Sequence, residues 1–105
     1  MVIRLFCNVG MSTSILVEKM QAAAREKGKN DIIESYSISE LPSYARGSDA
    51  VLLGPQVSFK LDSAKKTCDP LNIPCGVIPS KDYGMVDGMA VLKYAHMLAK
   101  NNTVK

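Results

Sequence analysis

The sequence predicts an α/β fold of three layers, a four-stranded parallel sheet flanked by helices, with a phosphate-binding loop after the first strand. Three observations carry that expectation. Four runs of strand length, at 2–6, 32–37, 50–53 and 74–78, are rich in Val, Ile and Leu or alternate apolar with polar side chains. Segments of helical apolar spacing separate and follow them, and this alternation demands β-α-β crossovers and hence a parallel sheet. Between the first strand and the first helix stands Cys7, followed by the small and polar run Asn8-Val9-Gly10-Met11-Ser12-Thr13-Ser14.

Taken in order, residues 2–6 (Val-Ile-Arg-Leu-Phe) read as a central strand covered on both faces. From Ser14 onward Ile15, Leu16, Met20, Ala23 and Ala24 recur at helical spacing, with Glu18, Lys19, Arg25 and Lys27 on the polar side. Ser12 or Thr13 is positioned to cap that helix, and Gly28 to end it in the left-handed conformation. The alternation at 32–37 suits a half-exposed or edge strand. A short helical turn is expected at 39–45, since Pro42 is tolerated in a first turn. Ala50-Val51-Leu52-Leu53 is a buried strand ended by Gly54-Pro55, and a helix is expected near 58–67. Residues 74–78 form the fourth strand, 79–85 a loop, and a last helix starts near Asp87, a good N-cap, with Val91, Leu92, Tyr94, Ala95 and Leu98 on its apolar side.

A chain of 105 residues, 47% hydrophobic, has material for one core, so residues 1–105 are expected to form a single domain. Its formal charge of +3 is dispersed, which argues against nucleic acid as a partner. Lys60, Lys65 and Lys66 fall on one predicted helical stretch, which a solvated face explains as well as a patch for an acidic partner does. Three cysteines, no signal peptide and no apolar stretch of spanning length lead us to expect a reduced cytoplasmic protein, free-standing and not inserted in a membrane.

Ligands of doubly wound sheets bind outside the carboxyl ends of the strands, where strand order switches. Cys7, Gly54-Pro55-Gln56 and Tyr83-Gly84 all belong to that edge. A strand-loop-helix junction gathers free backbone N–H groups and the positive end of the helix dipole, which favours an anion. Such surroundings lower a thiol pKa and make the sulfur nucleophilic, so nucleophile and phosphate cradle would coincide at Cys7. Free cysteine is also among the most buried residue types, and a merely packed strand-end thiol fits the position too. The C-x5-R phosphatase loop has the same architecture, but its clamping arginine would stand at position 13, where this chain has Thr13. Without a guanidinium on the equatorial oxygens efficient hydrolysis is disfavoured. Backbone N–H groups and the hydroxyls of Ser12, Thr13 and Ser14 suit a carrier better than a hydrolase.

The stretch Leu5-Phe6-Cys7-Asn8-Val9-Gly10-Met11-Ser12-Thr13-Ser14 resembles the phosphorylation loop of the B components of bacterial sugar phosphotransferase systems, lactose/cellobiose/diacetylchitobiose class. Val51-Leu52-Leu53-Gly54-Pro55-Gln56 and Tyr83-Gly84-Met85-Val86-Asp87-Gly88 resemble that family too, in the same order and at similar spacing, so nearly the whole chain is covered. The loop departs from the family in Asn8-Val9, where smaller residues are frequent, and the tail past Lys100 is polar. The resemblance implies a phosphotransferase in which Cys7 is the single phosphorylated cysteine. It would receive the phosphoryl group from a phosphohistidine of the cytoplasmic A component. It would then give it to a sugar, of the β-linked disaccharide kind such as cellobiose, chitobiose or lactose, held by the membrane C component. The chain would thus associate with the membrane transporter, and neither metal nor cofactor is implied. Two other classes share the loop: a low-molecular-weight phosphatase or arsenate-reductase-like enzyme, opposed by Thr13 and by the lack of a nearby resolving cysteine, and a non-catalytic regulatory domain, opposed by the intact loop around Cys7.

Gln56 and Tyr83 are accessory candidates that either donate to the phosphoryl group or pack the loops. Cys68 and Cys75 lack metal-site spacing and nearby histidines, and read as core or near-surface thiols. His96, the one histidine, reads as an ordinary side chain near the negative end of the last helix. Met11, Met85 and Met89 suit either an adaptable partner rim or the core.

Overall fold

The computed structural model describes residues 1–8 and 11–101, and of Met11 and Ser12 the backbone only. Four parallel strands, β1 (Val2–Cys7), β2 (Ile32–Ser37), β3 (Ala50–Leu53) and β4 (Cys75–Val77), lie in the order β2-β1-β3-β4. The helices are α1 (Met11–Glu26), α2 (Leu41–Tyr44), α3 (Leu61–Cys68), α4 (Ser80–Gly84) and α5 (Gly88–Lys100). The chain therefore reverses its direction of travel across the sheet at β1, between β2 on one side and β3 on the other.

The alternation of side chains along β1 builds both cores. Ile3 and Leu5 face Leu16 and Met20 of α1 and Val91, Leu92 and Ala95 of α5, while Phe6 faces the other way, toward Leu41, Val57, Ala64 and Cys68. Strand β3 is buried at every residue, as an unbroken apolar run between two helical layers must be. The exposed and half-exposed pattern of β2 matches its place at the sheet edge.

Local chemistry sets most boundaries where the sequence placed them. Gly28 takes φ +68° and ends α1, its N–H donating to the Arg25 carbonyl at 3.0 Å while that of Lys29 donates to Ala24 at 2.9 Å. Ser37 and Glu40 form a capping box at the 3-10 turn Ile38–Glu40 that leads into α2. Asp87 caps α5, its Oδ1 accepting from the Ala90 N–H at 3.1 Å. Other boundaries differ. Helix α1 begins at Met11, three residues ahead of Ser14, so Thr13 lies inside its first turn and is not its cap. The segment expected as a loop at 79–85 contains α4, too short to show an apolar period. The helix expected at 58–67 starts as a 3-10 turn, Pro55–Lys60, before α3.

Arg4, the charge inside the first strand, anchors the sheet edge. Its Nε donates to Glu34 Oε1 at 3.0 Å and its Nη1 to the carbonyls of Tyr44 at 3.0 Å and Arg46 at 2.8 Å. The Tyr36 hydroxyl shares Glu34 Oε1, and the Tyr36 and Tyr44 rings stack at 4.1 Å. The hydrogen bond from Arg4 first, and that from Tyr36 second, hold the Glu34 carboxyl below the usual carboxylate range. Because that pKa is lowered, its contribution is complete at neutral pH and is lost as pH falls through the lowered value. Arg4→Met leaves two backbone carbonyls without their donor, and should cost about 2–3 kcal/mol in urea unfolding at pH 7. The gap to the native chain should narrow in acid. Lysine should recover only part of the loss, since an ammonium cannot fork between three acceptors. Equal urea midpoints for native and Arg4→Met chains would refute this role.

Candidate functional site

Cys7 ends β1 opposite Ser37 of β2, at the carboxyl edge of the sheet beside the switch in strand order. Its side chain is 4% exposed. Thr13, in the first turn of α1 and 3% exposed, places Oγ1 2.7 Å from the Cys7 sulfur and 2.9 Å from the Tyr83 hydroxyl. The three residues make a chain of hydrogen-bonding groups from α4 through α1 to the end of β1. Gly54, just past β3, closes the other side, its N–H donating to the Phe6 carbonyl at 2.9 Å.

Burial pushes the Cys7 thiol up from its ordinary value, against the smaller lowering effect of the Thr13 hydroxyl. This corrects the expectation of a thiolate made by loop and helix dipole. Among the described residues, the sulfur sits deep enough at the strand end that lost hydration outweighs the stabilising Thr13 hydroxyl. The sulfur thus holds its proton more tightly than a free thiol does, and that proton must leave as a bond to sulfur forms.

A cleft of about 210 Å³ opens over the thiol, lined by Cys7, Asn8, Thr13, Ser14, Ser35, Tyr36, Ser37 and Glu40. Ligand pockets for drug-sized molecules run to roughly 300–1,000 Å³, so this one fits a small polar group better than a sugar. Hydroxyls dominate the lining, no lysine or arginine belongs to it among the described residues, and Glu40 adds a carboxylate. Val9 and Gly10 of the expected phosphate loop lie outside the described residues, as do the side chains of Met11 and Ser12. Asn8, Thr13 and Ser14 are brought to the cleft as expected.

Of the accessory candidates, Tyr83 is half-buried on α4 and reaches Thr13. Helix α4 ends with the Val86 N–H on the Tyr83 carbonyl at 3.0 Å and the Asp87 N–H on the Asp82 carbonyl at 2.9 Å. Val86 itself takes φ +50°, a left-handed conformation that costs a β-branched residue about 1–2 kcal/mol. Gln56 is exposed on the turn after β3, with Oε1 folded back over Gly54: a Cβ there would lie 2.8 Å from it and 2.9 Å from Cys7 Cβ.

The remaining sequence candidates lie elsewhere. His96 Nε2 is 2.8 Å from Asp31 Oδ2, and the Met1 ammonium is 3.4 Å from Oδ1 of the same buried carboxylate, at the end of the sheet opposite Cys7. Cys68 closes α3 and Cys75 opens β4; their thiols hydrogen-bond, which lowers Cys68 against the opposing effect of burial and, together with burial, pushes Cys75 up. Sequence spacing gave no sign of that contact. Among the described residues no group of three or more His, Cys, Asp or Glu stands together as a metal site, and no helix is long and apolar enough to cross a membrane. Met85 is 68% exposed, whereas Met89 packs against the core. Reading the sequence alone missed the contribution of β2 and its turn to the cleft. Two signals pointed to it: parallel pairing sets the end of β2 beside that of β1, and Ser37-Ile38-Ser39-Glu40 is a capping-box pattern.

Comparison with known proteins finds relatives over nearly the whole chain. The family described as "PTS system, Lactose/Cellobiose specific IIB subunit" matches residues 2–94. A PTS system galactose-specific EIIB component of Lactococcus lactis subsp. cremoris is 42% identical, covering 92% of this chain and 94% of that protein. A cellobiose-specific EIIB component of Lactococcus lactis subsp. lactis is 41% identical over the same shares. An oligo-beta-mannoside-specific EIIB component of Bacillus subtilis is 39% identical, over 94% and 96%. Among solved structures, the lactose-specific IIB component domain from Streptococcus pneumoniae superposes with a TM-score of 0.84 at 15% identity, covering 93% of this chain and 96% of that one. The cellobiose-specific phosphotransferase IIB component protein from Borrelia burgdorferi gives 0.76 at 31% identity, over 97% and 95%.

Proposed function

This chain belongs to the PTS lactose/cellobiose-specific IIB family and is a sugar-specific phosphotransferase component, and on that premise we propose that it carries the phosphoryl group on Cys7. The observation that carries the reading is the thiol itself, at the floor of a hydroxyl-lined cleft with Thr13 hydrogen-bonded to its sulfur.

In the first step the Cys7 sulfur attacks phosphorus of a phosphohistidine on the A component, in line with the nitrogen that leaves. The S–P bond forms as the P–N bond breaks, and the thiol proton passes to the imidazole. Asn8, Thr13 and Ser14 line the cleft in which the phosphoryl group would sit, Val9, Gly10, Met11 and Ser12 complete the loop that the sequence assigns to the phosphate, Gln56 stands over Gly54, and Tyr83 is held behind Thr13. In the second step a sugar hydroxyl on the C component attacks phosphorus, sulfur leaves, and the hydroxyl proton restores the thiol. Thr13 stands where a hydrolytic loop carries its arginine, so no guanidinium at that position stabilises the phosphoryl oxygens for attack by water. Glu40 repels the phosphoryl dianion and favours passing it on over keeping it.

The modest volume of the cleft supports a reading in which the membrane component recognises the sugar. Three relatives of nearly equal identity are named for galactose, cellobiose and an oligo-beta-mannoside, and the substrate we propose is a β-linked disaccharide such as cellobiose, chitobiose or lactose. Residues 1–105 act as one domain in this scheme, on the cytoplasmic side of the transporter.

Intact-mass spectrometry tests the reading. After incubation with a phosphorylated A component near neutral pH, the native chain should gain one phosphoryl group and Cys7→Ser none. A folded native chain that gains nothing from a donor verified as phosphorylated would refute it, and release of inorganic phosphate from an aryl phosphate would favour a phosphatase.

A further inference from the structure

We propose that Tyr83 is a positioning residue for the Cys7 nucleophile, its hydroxyl fixing through Thr13 the direction of the hydrogen bond that meets the sulfur. The inference rests on Cys7 as the phosphoryl carrier, and it places Tyr83 behind Thr13 instead of on the phosphoryl group.

Thr13 has one hydroxyl hydrogen and two neighbours within hydrogen-bond reach, the sulfur at 2.7 Å and the tyrosine oxygen at 2.9 Å. At 3% exposure it has little water to turn to. When the sulfur carries its proton, the S–H donates to Thr13 and the threonine hydroxyl is free to donate to Tyr83. When sulfur is the anion that attacks phosphorus, Thr13 must donate to it, and its oxygen is then best satisfied if Tyr83 donates in turn. Deprotonation thus reverses the direction of the whole chain, and the phenol supplies the last donor. The Tyr83 ring is held for this task, packing against the core under α1 and α5 with Cε2 3.8 Å from the position of a Cβ on Gly54. The turn at Val86 and Asp87 fixes α4 behind it.

The titratable groups facing the thiol are few: Tyr83 from α4, and Tyr36 and Glu40 lining the cleft from β2 and the turn after it. From the β3 side come the neutral Gly54 and Gln56. Removing the Tyr83 hydroxyl alone therefore leaves the charge around the sulfur unchanged and alters only the hydrogen-bond chain.

Alkylation of Cys7 by iodoacetamide, followed peptide by peptide against pH, reads the thiolate directly and is independent of phosphoryl transfer. Tyr83→Phe should slow Cys7 alkylation about threefold at pH 7, with the rates converging at alkaline pH. Thr13→Val should slow it about tenfold, and adding Tyr83→Phe to that variant should change it no further. Thr13→Ser, which keeps the hydroxyl, should stay within about twofold of the native chain, and Tyr83→Phe should again slow alkylation in that background even where Thr13→Val proves unfolded. A profile unchanged by Tyr83→Phe would overturn the proposal, as would an equal slowing at every pH, the mark of a merely structural role, or additivity with Thr13→Val. If Cys7 instead fails to accept phosphate in the mass assay, the carrier reading falls while the alkylation result stands.

Discussion

Gly88→Ala should destabilise the fold by about 3 kcal/mol, lowering the melting temperature by roughly 10–15 °C. At a first helical position an alanine ordinarily gains up to about 1 kcal/mol over glycine, so the sign is opposite to what helix propensity dictates. The reason is the crossing of α5 over α1. A Cβ on Gly88 would lie 2.7 Å from both the carbonyl oxygen and the Cβ of Lys19, and it would overlap the Lys19 carbonyl carbon. None of these atoms ends a flexible side chain, so relief requires the helices to part. Val91, Leu92 and Ala95 of α5 are packed against Leu16, Met20 and the sheet, and they would be drawn from the same core. Gly84→Ala is the control: no atom lies within 4 Å of its new Cβ, and its melting point should move by no more than a degree or two. Calorimetric melts of the three proteins decide the matter; Gly88→Ala melting at or above the native temperature would show that the crossing is not tight.

Much of this architecture was written in local sequence, and what escaped has a common cause. The runs that became β1 and β3, the glycine that ends α1 and the Asp87 cap are each decided by neighbours along the chain. Cys7 was legible as a candidate site because a strand, a polar loop and a helix meet there in sequence. Its protonation was not legible, because burial of the sulfur depends on Thr13, Gly54 and Tyr83 arriving from three different elements. The same holds for Arg4, visible as a charge within an apolar run, whose partners at Tyr44 and Arg46 lie 40 and 42 residues away. Helix α4 escaped for a different reason: five residues do not complete two turns, and no period can be read in them. Thr13 is the instructive case. Sequence assigned it two local roles, cap and phosphate ligand, whereas its hydroxyl is committed between two side chains, 6 residues away in one direction and 70 in the other.

Gly54→Ala should leave the protein folded, at a cost of about 1–2 kcal/mol, yet slow phosphoryl acceptance by roughly 10- to 100-fold. Glycine is not needed here for its backbone freedom: φ −63° and ψ 150° suit any residue. It is needed for space, since an added Cβ would fall 2.9 Å from Cys7 Cβ and 2.8 Å from Gln56 Oε1. The two obstacles differ in kind. The glutamine amide ends a flexible, exposed side chain and can swing away, but Cys7 Cβ is held by a strand whose carbonyl at Phe6 is already bonded to the Gly54 N–H. The cysteine must therefore move by a few tenths of an ångström, which disturbs the 2.7 Å contact between its sulfur and the Thr13 hydroxyl. In-line attack on phosphorus tolerates such displacement poorly, because its rate depends on reacting atoms held at near-contact distance and aligned. Rapid-quench measurement of transfer from a phosphorylated A component, with melts run in parallel, separates the two effects. Adding Gln56→Ala should restore little of the rate if Cys7 is the obstacle, and recovery to near the native rate in that double variant would show that the glutamine, not the strand, sets the geometry around the thiol.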